Sequence, residues 1–535
     1  MGMIDPAMTI AHPATQKTGD MMEHSTEIDA TDYGPFGKPL IGDPSLRALS
    51  RVGVVDVGSN SVRMVIFDGA ARSPAYFYNE KVMCELGAGL SETGRLNPRG
   101  CERAMAALRR FRHVANDLGV PKLHTVATAA VREAEDGPDF CDLVEREIGL
   151  NIQVVDGSEE ARLSAQGVLL GWPGAYGLIC DIGGSSVELA EIGGGQVGRR
   201  MTSPLGPLKL RDIKGGRRAR KAHIKKTMEE MRDQMGLQRD RLFLVGGSWR
   251  AFARIDMLRR GYPLNVLHEY RMTHQHVRET IKLIEKSDAD ELRSQAGVSG
   301  SRMALMPYAM DVLARLIRTF KPKDIAISSY GIREGLLFEQ MPQHLRDRDP
   351  LIEASRFAEA KDARLPGFGK HLFDFVMPLF RSAPPQKVRL IKAACLLHDV
   401  SWRAHPDYRA EVCFEYVTRA NMSGLKHSER VFIGLALQHR YRNKREGNRF
   451  APLYELLDER SQKQAEVLGK AMRFGAMLWM PNTAAMGKLK FYPKKQEIEL
   501  ILPKIAQPVF NEVAEARFKS LANALKAEAR VIVRR

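Results

Sequence analysis

Val55-Asp56-Val57-Gly58-Ser59-Asn60-Ser61-Val62 and Cys180-Asp181-Ile182-Gly183-Gly184-Ser185-Ser186-Val187 are the two stretches whose reading decides the fold. Each runs apolar residue, Asp, apolar residue, Gly, a small polar turn, then Ser-Val and a returning strand. Val52 to Val57 and Val62 to Phe67 are short β-branched runs on either side of the first turn, which is the pattern of a hairpin. Two copies matching position by position, this far apart, predict a duplicated domain with two related lobes. A solenoid would repeat at a much shorter period.

Outward from the hairpins the chain reads as α/β. A helix is expected at about Arg99 to Asn116, a strand at His124 to Ala127, and a helix after Gly137. A strand at Ile152 to Val155 follows, then a helix from Glu159 with Ser158 as its cap. After Leu345 helical apolar spacing takes over (Leu390, Ile391, Ala394 and Cys395, then Phe432, Leu435 and Ala436), predicting a helical unit to about Asn482. The tail returns to strands at Lys488 to Tyr492 and Glu497 to Leu502 around a Pro-Lys-Lys turn. A helix at about Phe510 to Glu528 and a strand at Val531 to Val533 complete it. The expected organisation is a poorly ordered leader over 1–44, lobes over 45–171 and 172–345, a helical domain over 346–485, and a small α+β domain over 486–535.

The hairpin turns carry the first chemical signal. Closely spaced Gly and Ser residues let several backbone N–H groups point at one small volume, and such concavities bind phosphate oxygens. Ser59, Asn60, Ser61, Gly183, Gly184, Ser185 and Ser186 fit that role, while Asp56 and Asp181 are placed to hold Mg²⁺ or a metal-bound water beside the phosphates. Leu244-Val245-Gly246-Gly247-Ser248 and Ile327-Ser328-Ser329-Tyr330-Gly331 each join a strand to a helix N-terminus, which offers free N–H groups to an anion. Arg132, at the end of Thr125-Val126-Ala127-Thr128-Ala129-Ala130-Val131-Arg132, reads either as a surface residue or as a two-pronged phosphate grip. Glu159 and Glu160 stand in a first helical turn, where acids are stabilised by the helix dipole.

Composition narrows the class without deciding it. The 535 residues exceed what one core serves, and 44% apolar with 27% charged is ordinary for a soluble globular protein. Met1 to Gly19 lacks a basic segment followed by an apolar one, and no apolar run is long enough to span a bilayer, so a cytoplasmic protein without a membrane partner is expected. Cys84, Cys101, Cys141, Cys180, Cys395 and Cys413 lack CxxC spacing, which argues against disulfides and thiolate metal sites. An excess of 81 basic over 64 acidic residues gives +17 and attracts anions. The run Lys209 to Lys226 concentrates that charge. It reads equally as a solvated face or, through Lys209, Arg217, Arg218, Arg220 and Lys221, as a guide for an anionic chain.

Taken in order, Asp56-Val57-Gly58-Ser59-Asn60-Ser61, Glu159-Glu160-Ala161-Arg162, Asp181-Ile182-Gly183-Gly184-Ser185-Ser186-Val187-Glu188, Val245-Gly246-Gly247-Ser248 and Ser329-Tyr330-Gly331-Ile332-Arg333-Glu334-Gly335 resemble the exopolyphosphatase and guanosine pentaphosphate phosphatase (Ppx/GppA) family. The likeness covers about 300 residues, and the later regions resemble the extra domains of its longer members. It implies a duplicated actin-like, ribonuclease H-like core with the active site between the lobes, followed by an HD-like helical domain. It further implies Glu160 as the general base for an attacking water, Asp181 and Glu188 as acids tied to Mg²⁺ and water, and Asn60, Ser61, Arg132, Gly183, Gly184 and Ser185 as the phosphate cradle. Asp56, Asp181 and Glu188 are then the candidate metal ligands, with Gly246, Gly247, Ser248 and Ser186 extending the cradle. The family commonly has a third glycine where this chain has Ser185, which narrows the approach by one Cβ.

The activity so implied is Mg²⁺-dependent release of terminal orthophosphate from inorganic polyphosphate. Hydrolysis of guanosine pentaphosphate is the alternative within the same chemistry, and a non-catalytic polyphosphate- or nucleic-acid-binding protein the alternative outside it. A homodimer is also implied. His398-Asp399, with His371 upstream, resembles the paired ligand of HD-type phosphohydrolases, but Arg409 and Glu411 stand where further histidine is expected, so a structural role is the expectation there.

Overall fold

The computed structural model describes residues 51–534 apart from 70–71, 121–122, 238–239, 444–448 and 479–485; the expected leader over 1–44 lies outside the described residues. β1 (Val52–Val57) and β2 (Ser61–Phe67) form the first hairpin, antiparallel, with Asp56 opposite Arg63 and Val57 opposite Val62. β3 (Tyr76–Met83) pairs with β2, and β4 (Leu123–Ala127) and β5 (Ile152–Val154) add in parallel on the other side, giving the order β3-β2-β1-β4-β5.

The second hairpin repeats the first. β6 (Gly177–Ile182) and β7 (Val187–Gly193) pair with Asp181 opposite Glu188 and Ile182 opposite Val187. β8 (Gln196–Ser203) extends β7, and β9 (Arg241–Val245) and β11 (Asp324–Ile327) add in parallel beyond β6. The order β8-β7-β6-β9-β11 matches the first sheet strand for strand, and the short β10 (Arg271–Met272) is an addition at the β11 edge.

Alternation along the strands fills both faces of each sheet, as expected when helices cover both sides. On the first sheet Val55, Val57, Val62, Met64 and Ile66 pack outward with helix Pro98–Asp117, whose Leu108 and Phe111 are buried. Val54, Val65 and Phe67 face inward and share one core with Ile179, Ala190, Phe243 and Ala326 of the second sheet.

Between the sheets lie two helices at equivalent places in the repeat: Gly157–Gly171 after β5 and Ile332–Glu339 after β11. They meet at glycines. A Cβ on Gly167 would come within 2.1 Å of the Gly331 carbonyl oxygen, and one on Gly335 within 1.8 Å of the Leu163 carbonyl oxygen. Only hydrogen allows backbone to touch backbone there.

The first of these helices corrects a sequence expectation. It begins at Gly157, and its cap is Asp156, whose Oδ1 accepts from Glu159 N at 2.7 Å. Ser158 is already in the first turn and instead accepts from Arg200 Nε at 2.9 Å. A carboxylate at N-cap wins because it satisfies a free N–H and also faces the positive helix end.

The remaining chain follows the expected texture. Helices Pro385–Leu396 and His427–Tyr441 bury Leu390, Ile391, Ala394, Cys395, Phe432, Leu435 and Ala436. β12 (Lys488–Tyr492), β13 (Glu497–Pro503) and β14 (Glu528–Arg534) form a third sheet, with helix Glu512–Leu525 in the β13–β14 crossover. No helix among the described residues is long and apolar enough to cross a membrane.

Candidate active site

Each hairpin closes its turn in the same way: Gly58 N donates to Ser61 O at 3.1 Å, and Gly183 N donates to Ser186 O at 3.0 Å. The packed helices bring the two turns together, so that Ser185 Oγ donates to Ser59 Oγ across the lobes at 3.5 Å. Ser185, the residue in place of a third glycine, is buried and turns its side chain toward the other lobe.

The turns form the floor of a cleft with a cavity of about 240 Å³. Ser59, Asn60, Ser61, Gly183, Gly184 and Ser186 line it, joined by Gly246, Gly247 and Ser248 from the β9 turn and by Ser329 and Gly331 from the β11 turn. Gly246 has φ 115°, and a Cβ there would come within 2.6 Å of the Ile182 carbonyl oxygen, so this strand-to-helix turn demands glycine. The result is two helix N-termini, Gly247–Arg259 and Ile332–Glu339, opening on the same volume.

Four carboxylates gather at or just behind this floor. Glu160 and Asp181 line the cleft, and Asp56 lines it while accepting from Arg333 Nη1 at 3.0 Å. Ser164, one turn beyond Glu160, donates to Asp181 Oδ2. Glu188 lies behind the lining, 1% exposed, where Thr202 Oγ1 donates to Oε1 at 3.0 Å and Oε2 has no partner among the described residues.

Burial, reinforced by the Asp181 charge, pushes the Glu160 carboxyl well above the usual carboxylate range against the opposing pull of Arg132. Burial first, then Glu160 and Asp181, do the same to Glu188, and burial raises Asp181. Like charges this close cannot all ionise without a cation.

The opposite wall is basic, and most of it was not singled out from sequence. Arg63, Lys81, Arg250, Arg302 and Arg333 all line the cleft. Burial first, then neighbouring arginines, lowers Lys81 and brings Arg250 down to about 10; Arg63 and Arg302 are lowered for the same reasons. Mutual repulsion among cations marks a place prepared for an anion. Arg63 was readable in principle, because the hairpin register sets it opposite Asp56. Arg302, in helix Gly300–Phe320, carried no motif. Glu334, buried, accepts from Gly331 N at 2.8 Å and from Tyr76 Oη at 2.9 Å, fixing the β11 turn, a role its motif alone does not reveal.

Other candidates lie elsewhere. Arg132 spends Nη1 on Val155 O at 2.8 Å and on Glu160 Oε2 at 3.2 Å, so it is committed to a backbone carbonyl and to the carboxylate. None of the five basic residues at 209–221 lines the cleft. Lys209 pairs with Glu133 at 2.6 Å, while Arg217, Arg220 and Lys221 converge on Asp311 at 3.5, 2.9 and 3.7 Å. Arg218 is exposed on the same helix, Gly216–Met235.

Asp399 is held by Arg364 through Nε at 2.8 Å and Nη2 at 2.7 Å, and the buried His398 sets Nδ1 2.8 Å from Cys395 O. Among the described residues no group of three His, Cys, Asp or Glu is arranged to hold a metal. Cys84, Cys180, Cys395 and Cys413 are buried free thiols, and Cys101 and Cys141 are partly buried.

Comparison with known proteins agrees with this architecture. The chain is 24% identical over 435 residues to retrograde regulation protein 2 of Saccharomyces cerevisiae, covering 73% of this chain and 72% of that protein. It is 26% identical over 318 residues to exopolyphosphatase 1 of Mycobacterium bovis, covering 57% of this chain and 92% of that protein. A crystal structure of an exopolyphosphatase from Cytophaga hutchinsonii superposes with a TM-score of 0.50 at 22% identity, covering 55% of this chain and 98% of that one, which establishes the shared fold. Residues 363–532 match the exopolyphosphatase C-terminal family model. Since residues 65–344 match the model of the Ppx/GppA phosphatase family, more than half of the chain, the protein belongs to that family.

Proposed function

We propose that the chain is an exopolyphosphatase that hydrolyses the terminal phosphoanhydride of inorganic polyphosphate, with Glu160 as the general base. The observation that carries this reading is the meeting of the two Gly-Ser turns, Ser59 against Ser185, beside a carboxylate that lines the same cleft. Phosphoryl transfer needs positioning and charge neutralisation more than a protein nucleophile. The turn N–H groups hold the terminal phosphate, and Arg63, Arg250 and Arg302 answer the charge of the phosphates behind it. Glu160 takes a proton from water as its oxygen attacks phosphorus, the P–O bond of the phosphoanhydride bridge breaks, and the shortened chain departs keeping the bridging oxygen as its new terminal phosphate oxygen.

Carboxylates raised by burial and by one another fit a divalent cation, and a buried Glu188 oxygen without a partner points the same way. With no three-residue ligand group among the described residues, Mg²⁺ fits through Asp181 and Asp56 at the lining, with Glu188 behind, together with substrate oxygens and water, as that ion prefers. When bound it neutralises charge on the phosphate oxygens. The domain limits expected from sequence, a cytoplasmic location and a homodimer belong to the same proposal, the last checked by sedimentation of the purified chain.

The deciding assay is phosphate release from long-chain polyphosphate, guanosine pentaphosphate and ATP, each with Mg²⁺ and with chelator. Fastest release from polyphosphate is expected. Release from guanosine pentaphosphate alone would move the assignment to the other activity, and none from any substrate would refute catalysis.

A further inference from the structure

Helix Gly157–Gly171 has two working faces. Glu160, Ser164 and Gly167 share one, which serves the cleft and the helix crossing. Arg162, Gln166 and Leu169 recur at the same spacing on the opposite face, and there they line a second cavity of about 590 Å³. Its other walls are the β7–β8 turn at Gly194 and Gly195, Arg200 of β8, Phe338 of helix Ile332–Glu339, and Arg72 and Arg346.

Four guanidinium groups thus meet in one cavity. Arg162 is answered by Glu159 at 2.8 Å and Glu339 at 2.6 Å, and Asp347 is the acid among the described lining residues. Arg72 is 1% exposed; it donates Nε to Arg348 O at 2.9 Å and Nη2 to Leu169 O at 3.1 Å, while Nη1 is buried with no partner among the described residues. Arg346 gives Nε and Nη2 to the Met341 and Glu339 carbonyls, and both Arg72 and Arg346 stand over the Phe338 ring, at 5.2 and 5.0 Å. Arg200 gives Nε to the neutral Ser158. After Arg162 is set against its own carboxylates, three guanidinium groups face one lining aspartate, with Asp349 the further carboxylate acting on Arg72, an excess that is costly to hold beside a buried unpaired N–H.

We propose that this cavity is a second anion site, separate from the cleft, that takes a compact small molecule carrying two or more phosphate groups. The volume exceeds what one phosphate fills and suits a small ligand. Planar guanidinium forks match phosphate oxygens two at a time. The occupant bridges both lobes, since Arg72 and Arg162 come from the first and Arg200 from the second, which Arg346 directly follows.

The test is equilibrium dialysis of the full chain with labelled inorganic pyrophosphate under chelator, for wild type, Arg200→Glu, Gln196→Glu and the cleft variant Arg302→Glu. Wild type is expected to bind two equivalents. Arg200→Glu should weaken one of them about tenfold or more while leaving hydrolysis at saturating substrate unchanged, and Arg302→Glu should weaken the other. Gln196→Glu, which puts a negative charge on another exposed lining residue, should weaken the same equivalent as Arg200→Glu and decides the matter if Arg200→Glu melts early. A single equivalent insensitive to both Arg200→Glu and Gln196→Glu overturns the site. Citrate displacing the Arg200-dependent equivalent as well as unlabelled pyrophosphate does overturns its assignment to phosphates.

Discussion

Replacing Glu160 by glutamine removes one charge while keeping the shape of the side chain and an oxygen to accept from Arg132. General-base catalysis is worth about 10² to 10⁴ in rate. At least the middle of that range is expected, because the other carboxylates are committed: Asp56 to Arg333, Asp181 to Ser164, and Glu188 behind the lining. A loss of about 10³-fold in kcat is therefore expected, roughly 4 kcal/mol of activation free energy, with KM for polyphosphate nearly unchanged. Stability should move the other way.

Glu160 is 8% exposed, and burial first, then the Asp181 charge, raise its pKa. A carboxyl whose folded pKa is raised stabilises the fold fully below its unfolded pKa, and that contribution is lost as pH rises through the folded value. The metal-free variant should thus melt no lower than wild type at neutral pH, and the wild-type decline in melting temperature from acid to neutral pH should flatten. Phosphate release measured against polyphosphate, with melting followed in chelator, gives both readouts. A variant within about threefold of the wild-type rate would contradict the range for a general base and refute the mechanism.

Arg132→Gln withdraws the cation that holds the Glu160 pKa down, so the acid limb of the kcat/KM–pH profile should move to higher pH; an unmoved limb would detach Arg132 from the base. Gly335→Ala forces a methyl into the Leu163 carbonyl and should cost about 1–3 kcal/mol in denaturant unfolding, with activity falling as the lobes are pushed apart; a neutral result would contradict the close crossing. Arg63→Gln and Arg302→Gln should each raise KM for polyphosphate about tenfold, whereas Lys221→Gln, half exposed beside Asp311, should change it less than about twofold; the reverse order would restore the guiding role to the 209–226 run.

The hairpins were legible because they are specified locally: β-branched runs, an acid, and small residues at the turn leave few alternatives. From them followed the duplication, whose strand order the structure repeats in both sheets. β3 and β8 are the parts the sequence leaves hidden, since both are largely exposed edge strands without a buried alternating face, β8 through polar residues such as Gln196-Val197-Gly198-Arg199-Arg200. The cleft floor was legible for the same local reason. Its basic wall was not, because Lys81, Arg250 and Arg302 come together only through tertiary packing, and on the chain they look like surface residues. The charge run at 209–226 is conspicuous on the chain, yet Arg220 there stands over Tyr308 and pairs with Asp311.

One detail of the matched hairpins sets a direction. A phosphate chain reads alike from either end, and a binding groove built from two equal halves would accept it in both orientations. Here the residue opposite the first turn's aspartate is Arg63, and the residue opposite the second's is Glu188. That single inversion of sign leaves the halves unequal, with a cation lining the cleft from the first hairpin and a carboxylate buried behind the lining in the second, so an anionic chain is expected to be drawn toward the first.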